Sequence, residues 1–304
     1  MQAKQELPHW RSLMFVPANV QKYVDKAAGY GADALMLDLE DSVGAADKES
    51  ARRALPAAIR ALAGKGADIA VRINRPLELA VRDIEAAVCP EVGFLMLPKI
   101  DSVGHVRLLA ELVETCEYRL GMEIGHTRFY PVVEHVKAFP HMFEIAAAHP
   151  RVVAFTCGTE DFSASAGSLP DRDVLQFPKQ QGVFAARAAG VLALGLMASP
   201  ANFRDMAAYR EAVLFSRRFG VEGSACIHPA QVAVLNECFT PSAAEVAKAQ
   251  AVVSTYDEAL AVGRGSVGLE GMMLDVPIVE RAQRVLYIAE RCAQRQRGKE
   301  RSMQ

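Results

Sequence analysis

Eight short apolar runs, each followed by a stretch of helical periodicity, limit what this chain can fold into more than any other feature. They are SLMFVP (12–17), ALMLDLE (34–40), DIAVRIN (68–74), FLMLPK (94–99), FYPVVE (129–134), VVAFTCG (152–158), LALGLMA (192–198) and SACIH (224–228). Runs this short and this apolar read as strands of a parallel sheet that is covered on both faces. Helical patterns fill the intervals, among them 47–64, 102–121, 141–149, 180–190 and 202–220, and several end in glycine. Eight such repeats in roughly 230 residues predict a (β/α)8 TIM barrel, whose usual length is about 250 residues. That α/β domain spans residues 11–239. A doubly wound open sheet is the alternative, but the first strand runs into Pro17-Ala18-Asn19, where a GxGxxG turn would be needed.

The segment 159–179 reads as a long βα loop, of the kind that often serves as a lid or binding loop. Residues 240–304 exceed what a barrel needs. They comprise a helix opened by Thr240-Pro241-Ser242, a Gly-rich stretch at 263–275 and a final helix from Val276. This C-terminal helical extension is expected to pack on a neighbouring subunit, with its own barrel as the other option.

With 304 residues, 51% hydrophobic and 23% charged, the chain can bury one large core. Lys and Arg number 34 against 36 acids, a net charge of −2 without a basic arm, which argues against nucleic acid or a membrane surface as the main partner. Cys89, Cys116, Cys157, Cys226, Cys238 and Cys292 show no metal-ligand spacing and are expected to be reduced thiols. The first residues carry no apolar signal core and no run is long enough to span a bilayer, so a cytoplasmic location is expected.

Charged residues recur where the apolar runs end. Glu40 and Asp41 close the second, Arg72 the third, Lys99 the fourth and Glu134 the fifth, Asp161 follows the sixth, and His228 closes the eighth. In a parallel barrel all of these fall on the C-terminal rim, where barrel enzymes build their sites. Glu134 and Asp161 are 27 residues apart, one β/α unit. Two carboxylates on neighbouring strands suit Mg²⁺, which takes few protein oxygens and keeps several waters. Solvated loop acids, or a ring of rim salt bridges, would show the same spacing. Arg72 offers a planar fork that suits a carboxylate or keto acid. Lys99 is either a Schiff-base nucleophile or, as favoured here, a lysine held protonated by Glu40 or Asp41. His228 precedes Pro229 and is either a structural residue at a helix start or a substrate contact. His126, His135 and His141 form no ligand pattern, and Ser163 and Ser165 sit in no nucleophile elbow.

Longer motifs carry a resemblance. RSLMFVPANV (11–20), GADALMLDLEDSV (31–43), AVRIN (70–74), LMLPK (95–99), PVVE (131–134), PRVVAFTCGTEDF (150–162) and CIHPAQVAVLNECFTPSAAEVAKAQ (226–250) resemble the citrate lyase β-subunit-like (CitE-like) family. This is a branch of the HpcH/HpaI aldolase and citrate lyase superfamily, and the resemblance runs from residue 11 to about 288. It implies a TIM barrel in a homotrimer or hexamer, and a lyase dependent on Mg²⁺ (or Mn²⁺). The implied reaction cleaves a β-hydroxyacyl-CoA, such as malyl-, citramalyl- or citryl-CoA, to acetyl-CoA and a keto acid, or runs the condensation in reverse. Glu134 and Asp161 would ligate the metal. Arg72 and Glu134, with His228, would bind substrate. Glu40, Asp41 and Lys99 would support them, and Asp275 in GMMLD would be the acid/base at the acetyl-CoA methyl carbon, reaching a neighbouring subunit's site. A lyase subunit acting on an acyl-carrier-protein thioester and a class II aldolase for free hydroxy-keto acids are the rival expectations.

Three departures from the family pattern stand out. Ser224 follows Gly223 where relatives often place a CoA-binding Lys, and His135 follows Glu134 where Thr is frequent. Arg75 follows Asn74 where Pro is common, so a second guanidinium stands near Arg72, either for an extra carboxylate or CoA phosphate or as solvated surface.

Overall fold

The computed structural model describes residues 7–199 and 204–302. Two compact units divide between Phe239 and Thr240. The first is a TIM barrel. Its strands are β1 Ser12–Pro17, β2 Ala34–Asp38, β3 Asp68–Arg72, β4 Val92–Leu97, β5 Arg128–Val133, β6 Ala154–Cys157, β7 Leu192–Ala193 and β8 Ser224–Cys226. Its helices are α1 Gln21–Ala27, α2 Lys48–Leu62, α3 Leu77–Ala87, α4 Val103–Arg119, α5 Met142–Ala146, α6 Glu160–Ala166, α7 Arg172–Ala189, α8 Met206–Arg218 and α9 Pro229–Cys238.

Strands pair in parallel with their sequence neighbours, and β8 pairs with β1. A single parallel bridge, Leu194 to Gly223, closes the remaining side. Glycine is required at 223, because a Cβ there would lie 1.8 Å from the Trp10 carbonyl oxygen.

A two-residue period decides which side chains face the barrel axis. On β2, Ala34 and Met36 join the interior cluster, while Leu35 and Leu37 join the layer between sheet and helices. Ala70 on β3, Phe94 and Met96 on β4, and Tyr130 and Val132 on β5 face inward likewise. Continued one step, that period sends Asp38, Arg72 and Glu134 to the inside of the barrel's C-terminal end.

β2, β3, β6, β7 and β8 prove shorter than their apolar runs, and β4 and β5 end before Lys99 and Glu134, since pairing stops where the rim begins. The segment 159–179 is not a loop. It contains α6 and the start of α7, where the Asp171 side chain accepts the Val174 N–H and caps the helix, and Leu175 is fully buried. Pro178 inside α7 disguised the helical pattern. Of the helix expected at 202–220, residues 202 and 203 lie outside the described residues, and α8 accounts for most of the rest.

The second unit contains α10 Ala243–Ala261, β9 Val267–Leu269, β10 Met272–Leu274 and α11 Val276–Ser302. Ser242 and Glu245 form a reciprocal capping box that starts α10. The Gly-rich stretch forms an antiparallel hairpin turning at Glu270-Gly271, both with positive φ, as a tight primed turn needs. Its core holds Val252, Tyr256, Leu274 and Val279. No helix of the described residues is long and apolar enough to cross a membrane.

Candidate active site

A cavity of about 330 Å³ opens at the C-terminal end of the barrel. Arg72 and Asp38 form its organising pair. They are register partners on β3 and β2, and Arg72 Nε and Nη2 donate to the two Asp38 carboxylate oxygens at 2.6 Å each. The guanidinium also stacks over the Phe15 ring at 4.4 Å. Asp38 is fully buried and accepts the N–H groups of Glu40 and Ser42. Burial alone would raise its carboxyl, but Arg72 outweighs that and holds it below the ordinary value. Burial opposes the charge on Arg72 as well, and the bonds to Asp38 reverse the effect, so the guanidinium is protonated at every relevant pH. Sequence reasoning took Asp38 for part of a strand and missed it. The inward period of Ala34 and Met36 was the signal that pointed to it.

Glu40 and Lys99 form the second pair. Lys99 Nζ donates to Glu40 Oε1 at 2.7 Å and lies 3.4 Å from Asp41 and 3.1 Å from Asp161. Burial works against the ammonium, but these carboxylates overcome it and raise its pKa. Lys99 is therefore protonated, and the Schiff-base alternative is disfavoured. Its backbone has φ +51°, unusual for a residue with a Cβ, and that turn aims its N–H at Glu134 Oε2, 2.8 Å away. One residue thus touches both members of the expected metal pair, Glu134 through its backbone and Asp161 through its side chain.

Glu134 is pushed up to about 7 by burial, reinforced by the negative charges of Glu40 and Asp161 and opposed by Lys99. Burial raises Glu40 in the same way. Its Oε2 lies 3.0 Å from Arg72 Nη1 but outside hydrogen-bond geometry, a buried acceptor that makes no hydrogen bond among the described residues. Arg72 and Lys99 together contact Asp38, Glu40, Asp41, Glu134 and Asp161, five carboxylates against two cations. Among the described residues no three His, Cys, Asp or Glu side chains close into a complete metal cage. More carboxylates than cations, carboxylate oxygens as donors and a Glu40 oxygen without a hydrogen bond fit a hard divalent cation that keeps much of its water.

His228 stands apart from this cluster. Its Nδ1 accepts the Ala230 N–H and caps α9, while neighbouring Ile227 lines the cavity. Arg75 pairs with Asp101 at 2.6 Å on the half-exposed rim. The His135 Nδ1 accepts the Lys137 N–H. Ser224 lines the cavity, and its hydroxyl donates to the Ala225 carbonyl. Asp275 lies exposed in the second unit, where its Oδ1 accepts the Ile278 N–H at the start of α11.

Residues 11–229 match the family model described as HpcH/HpaI aldolase/citrate lyase. The chain belongs to that family. It is accordingly a carbon–carbon lyase. It is 32% identical to the citrate lyase subunit beta of Leuconostoc mesenteroides subsp. cremoris, over 92% of this chain and 93% of that one. It is 29% identical to the L-malyl-CoA/beta-methylmalyl-CoA lyase of Rhodobacter capsulatus, over 92% and 94%. Among solved structures, CitE from Mycobacterium tuberculosis in complex with magnesium, acetoacetate and coenzyme A superposes with a TM-score of 0.73 at 28% identity, covering 93% of this chain and 98% of that one.

Two contributors to this family member's site escaped the sequence reading besides Asp38. Gly158 is pressed against Glu134, since a Cβ at that position would sit 2.5 Å from Glu134 Cγ. Lys179, from α7, is buried beneath the mouth, and burial pushes its ammonium down to about 8.

Proposed function

We propose that the chain is a divalent-metal-dependent lyase that cleaves a β-hydroxyacyl-CoA to acetyl-CoA and a keto acid, or catalyses the reverse condensation. The observation that carries this reading is the convergence of Glu134 and Asp161 on Lys99, beside a guanidinium locked in place by Asp38. Relatives named as a citrate lyase subunit and a malyl-CoA lyase, and a neighbour bound to magnesium and coenzyme A, support it.

In this reading Glu134 and Asp161 would hold Mg²⁺ or Mn²⁺. A bound ion would supply Lewis acidity, favouring loss of the β-hydroxyl proton. Arg72 binds the substrate carboxylate with the N–H groups that Asp38 leaves over, and its fixed plane orients the bond to be broken. Cleavage leaves an electron pair on the methylene carbon as an enolate, which must take a proton, while the hydroxyl must lose one. Asp275 is assigned to the carbon-side proton, and the unit that carries it (residues 240–304) is assigned to the site of a second copy in a trimer or hexamer. Glu40 and Asp41 hold Arg72 and Lys99 in register and balance their charge. Lys99 stays an ammonium throughout.

A panel of malyl-, citramalyl- and citryl-CoA, assayed with Mg²⁺ for acetyl-CoA and keto-acid release, tests the proposal. The similarity to a lyase subunit gives a second reading, an acyl-carrier-protein thioester as substrate. Including that thioester and free hydroxy-keto acids in the panel separates the three. Turnover of free hydroxy-keto acids alone would overturn the thioester assignment.

A further inference from the structure

Lys179 has no part in the chemistry above, yet it is a buried charge at the site, only 6% exposed and less so than Arg72 or Lys99. Fully buried lysines usually have an acid as partner. Among the described residues no carboxylate lies within ion-pair distance of Nζ. It donates instead to the Cys157 carbonyl at 2.6 Å and to Thr159 Oγ1 at 2.8 Å.

Those two acceptors flank Gly158, and Gly158 is the point where the β6–α6 turn meets Glu134. The Gly158 N–H donates to the Val133 carbonyl at 2.7 Å, one residue before Glu134, and its Cα leaves no room for a Cβ beside Glu134 Cγ. Asp161 follows Thr159 by two positions, in the first turn of α6. Thr159 holds the N-cap position of α6, where a threonine hydroxyl commonly accepts a helix N–H. Here the hydroxyl makes no such cap and accepts a hydrogen bond from the Lys179 ammonium instead. The ammonium sits in a slot bordered by Gly195, where a Cβ would come 2.6 Å from Thr156 Oγ1 and 3.6 Å from Nζ. Hydrogen bonds from a charged donor are about twice as strong as neutral ones, and a compact ammonium can serve two acceptors in different planes.

We propose that Lys179 is a positioning residue that clamps the Cys157–Gly158–Thr159 turn and thereby sets Asp161 relative to Glu134. The proposal rests on reading those two acids as the metal pair. It differs from a direct substrate contact, because the clamp acts before any ligand arrives.

The test compares wild type with Lys179→Met, which keeps the length and loses both donors, and with Thr159→Val, which removes one acceptor and leaves the ammonium. Two readouts are used: amide hydrogen exchange of the metal-free proteins, and Mg²⁺ and Mn²⁺ affinity by calorimetry. Lys179→Met should speed exchange across 158–163 while β2–β4 stay protected, and should weaken metal binding by about tenfold or more, the scale seen when a group that orients metal ligands is lost. Thr159→Val should move both readouts the same way by less, and it decides the matter alone if Lys179→Met does not fold. Wild-type exchange and metal affinity in the folded variants would overturn the proposal, including the case in which only KM for the keto acid rises. If wild type itself bound no divalent metal, the metal-pair reading would fail, and exchange across 158–163 would still judge the clamp.

Discussion

Arg72 and Asp38 are register partners at the ends of adjacent strands, and both Asp38 oxygens are taken by one guanidinium. Sheet pairing fixes the two Cα positions, so the plane of Arg72 is set before substrate arrives. Nothing in the pair can rotate without breaking two charge-assisted bonds.

Arg72→Lys should therefore be far from conservative. The charge survives and the fork does not, so kcat/KM should fall by at least about 1.5–3 kcal/mol of transition-state binding, the worth of a hydrogen bond to a charged group. Arg72→Ala should also cost stability, about 3–5 kcal/mol, because it strands the buried Asp38 charge. Steady-state kinetics and urea melts check the two parts, and near-wild-type kcat/KM in Arg72→Lys would assign Arg72 a structural role only.

Metal removal gives the plainest test. EDTA should abolish turnover and Mg²⁺ or Mn²⁺ should restore it, while Glu134→Gln should weaken the metal affinity and keep the fold. Full activity in exhaustively chelated protein would remove the central assignment.

The Glu134 carboxyl at about 7, against 4.5 ordinarily, makes the metal-free protein pH-sensitive. Its folded value lies above the unfolded one, so the fold binds this proton more tightly than the unfolded chain does. That stabilisation is complete below pH 4.5 and is lost as pH rises through about 7. Melting temperature should track this window in wild type and lose this component in Glu134→Gln. Metal competes with the same proton, so Mg²⁺ affinity should climb toward pH 7 and level off above it.

Gly158→Ala should injure the site through one methyl group. Its Cβ would lie 2.5 Å from Glu134 Cγ, so the carboxylate must shift. Overpacking of this kind costs about 1–3 kcal/mol, and metal affinity should fall more than the melting temperature suggests. Unchanged calorimetric affinity would show that the Glu134 position is not critical.

Asp275→Asn and Arg72→Ala, each inactive alone, should regain activity when mixed under conditions of subunit exchange. Some sites would then combine an intact Arg72 from one copy with an intact Asp275 from another. No recovery despite verified exchange, seen by mass spectrometry of mixed oligomers, would sink the shared-site assignment.

The sequence by itself determined the barrel, because eight short apolar runs alternating with helical patterns can be buried on both faces in few other ways. It also determined the rim acids: Glu40, Glu134 and Asp161 follow apolar runs and had to emerge at the same end. Local signals failed where helices were disguised or chain segments met. Pro178 concealed α7, and the Gly-rich stretch before Asp275 concealed a hairpin. Only the tertiary structure decided which charges touch. It gave Arg72 to Asp38, made Lys99 the link between Glu134 and Asp161, and brought Lys179 from a helix to the far side of the same turn. Residues 134, 158 and 179 are distant in sequence, and strand register and helix packing bring them together, which no periodicity within one segment encodes.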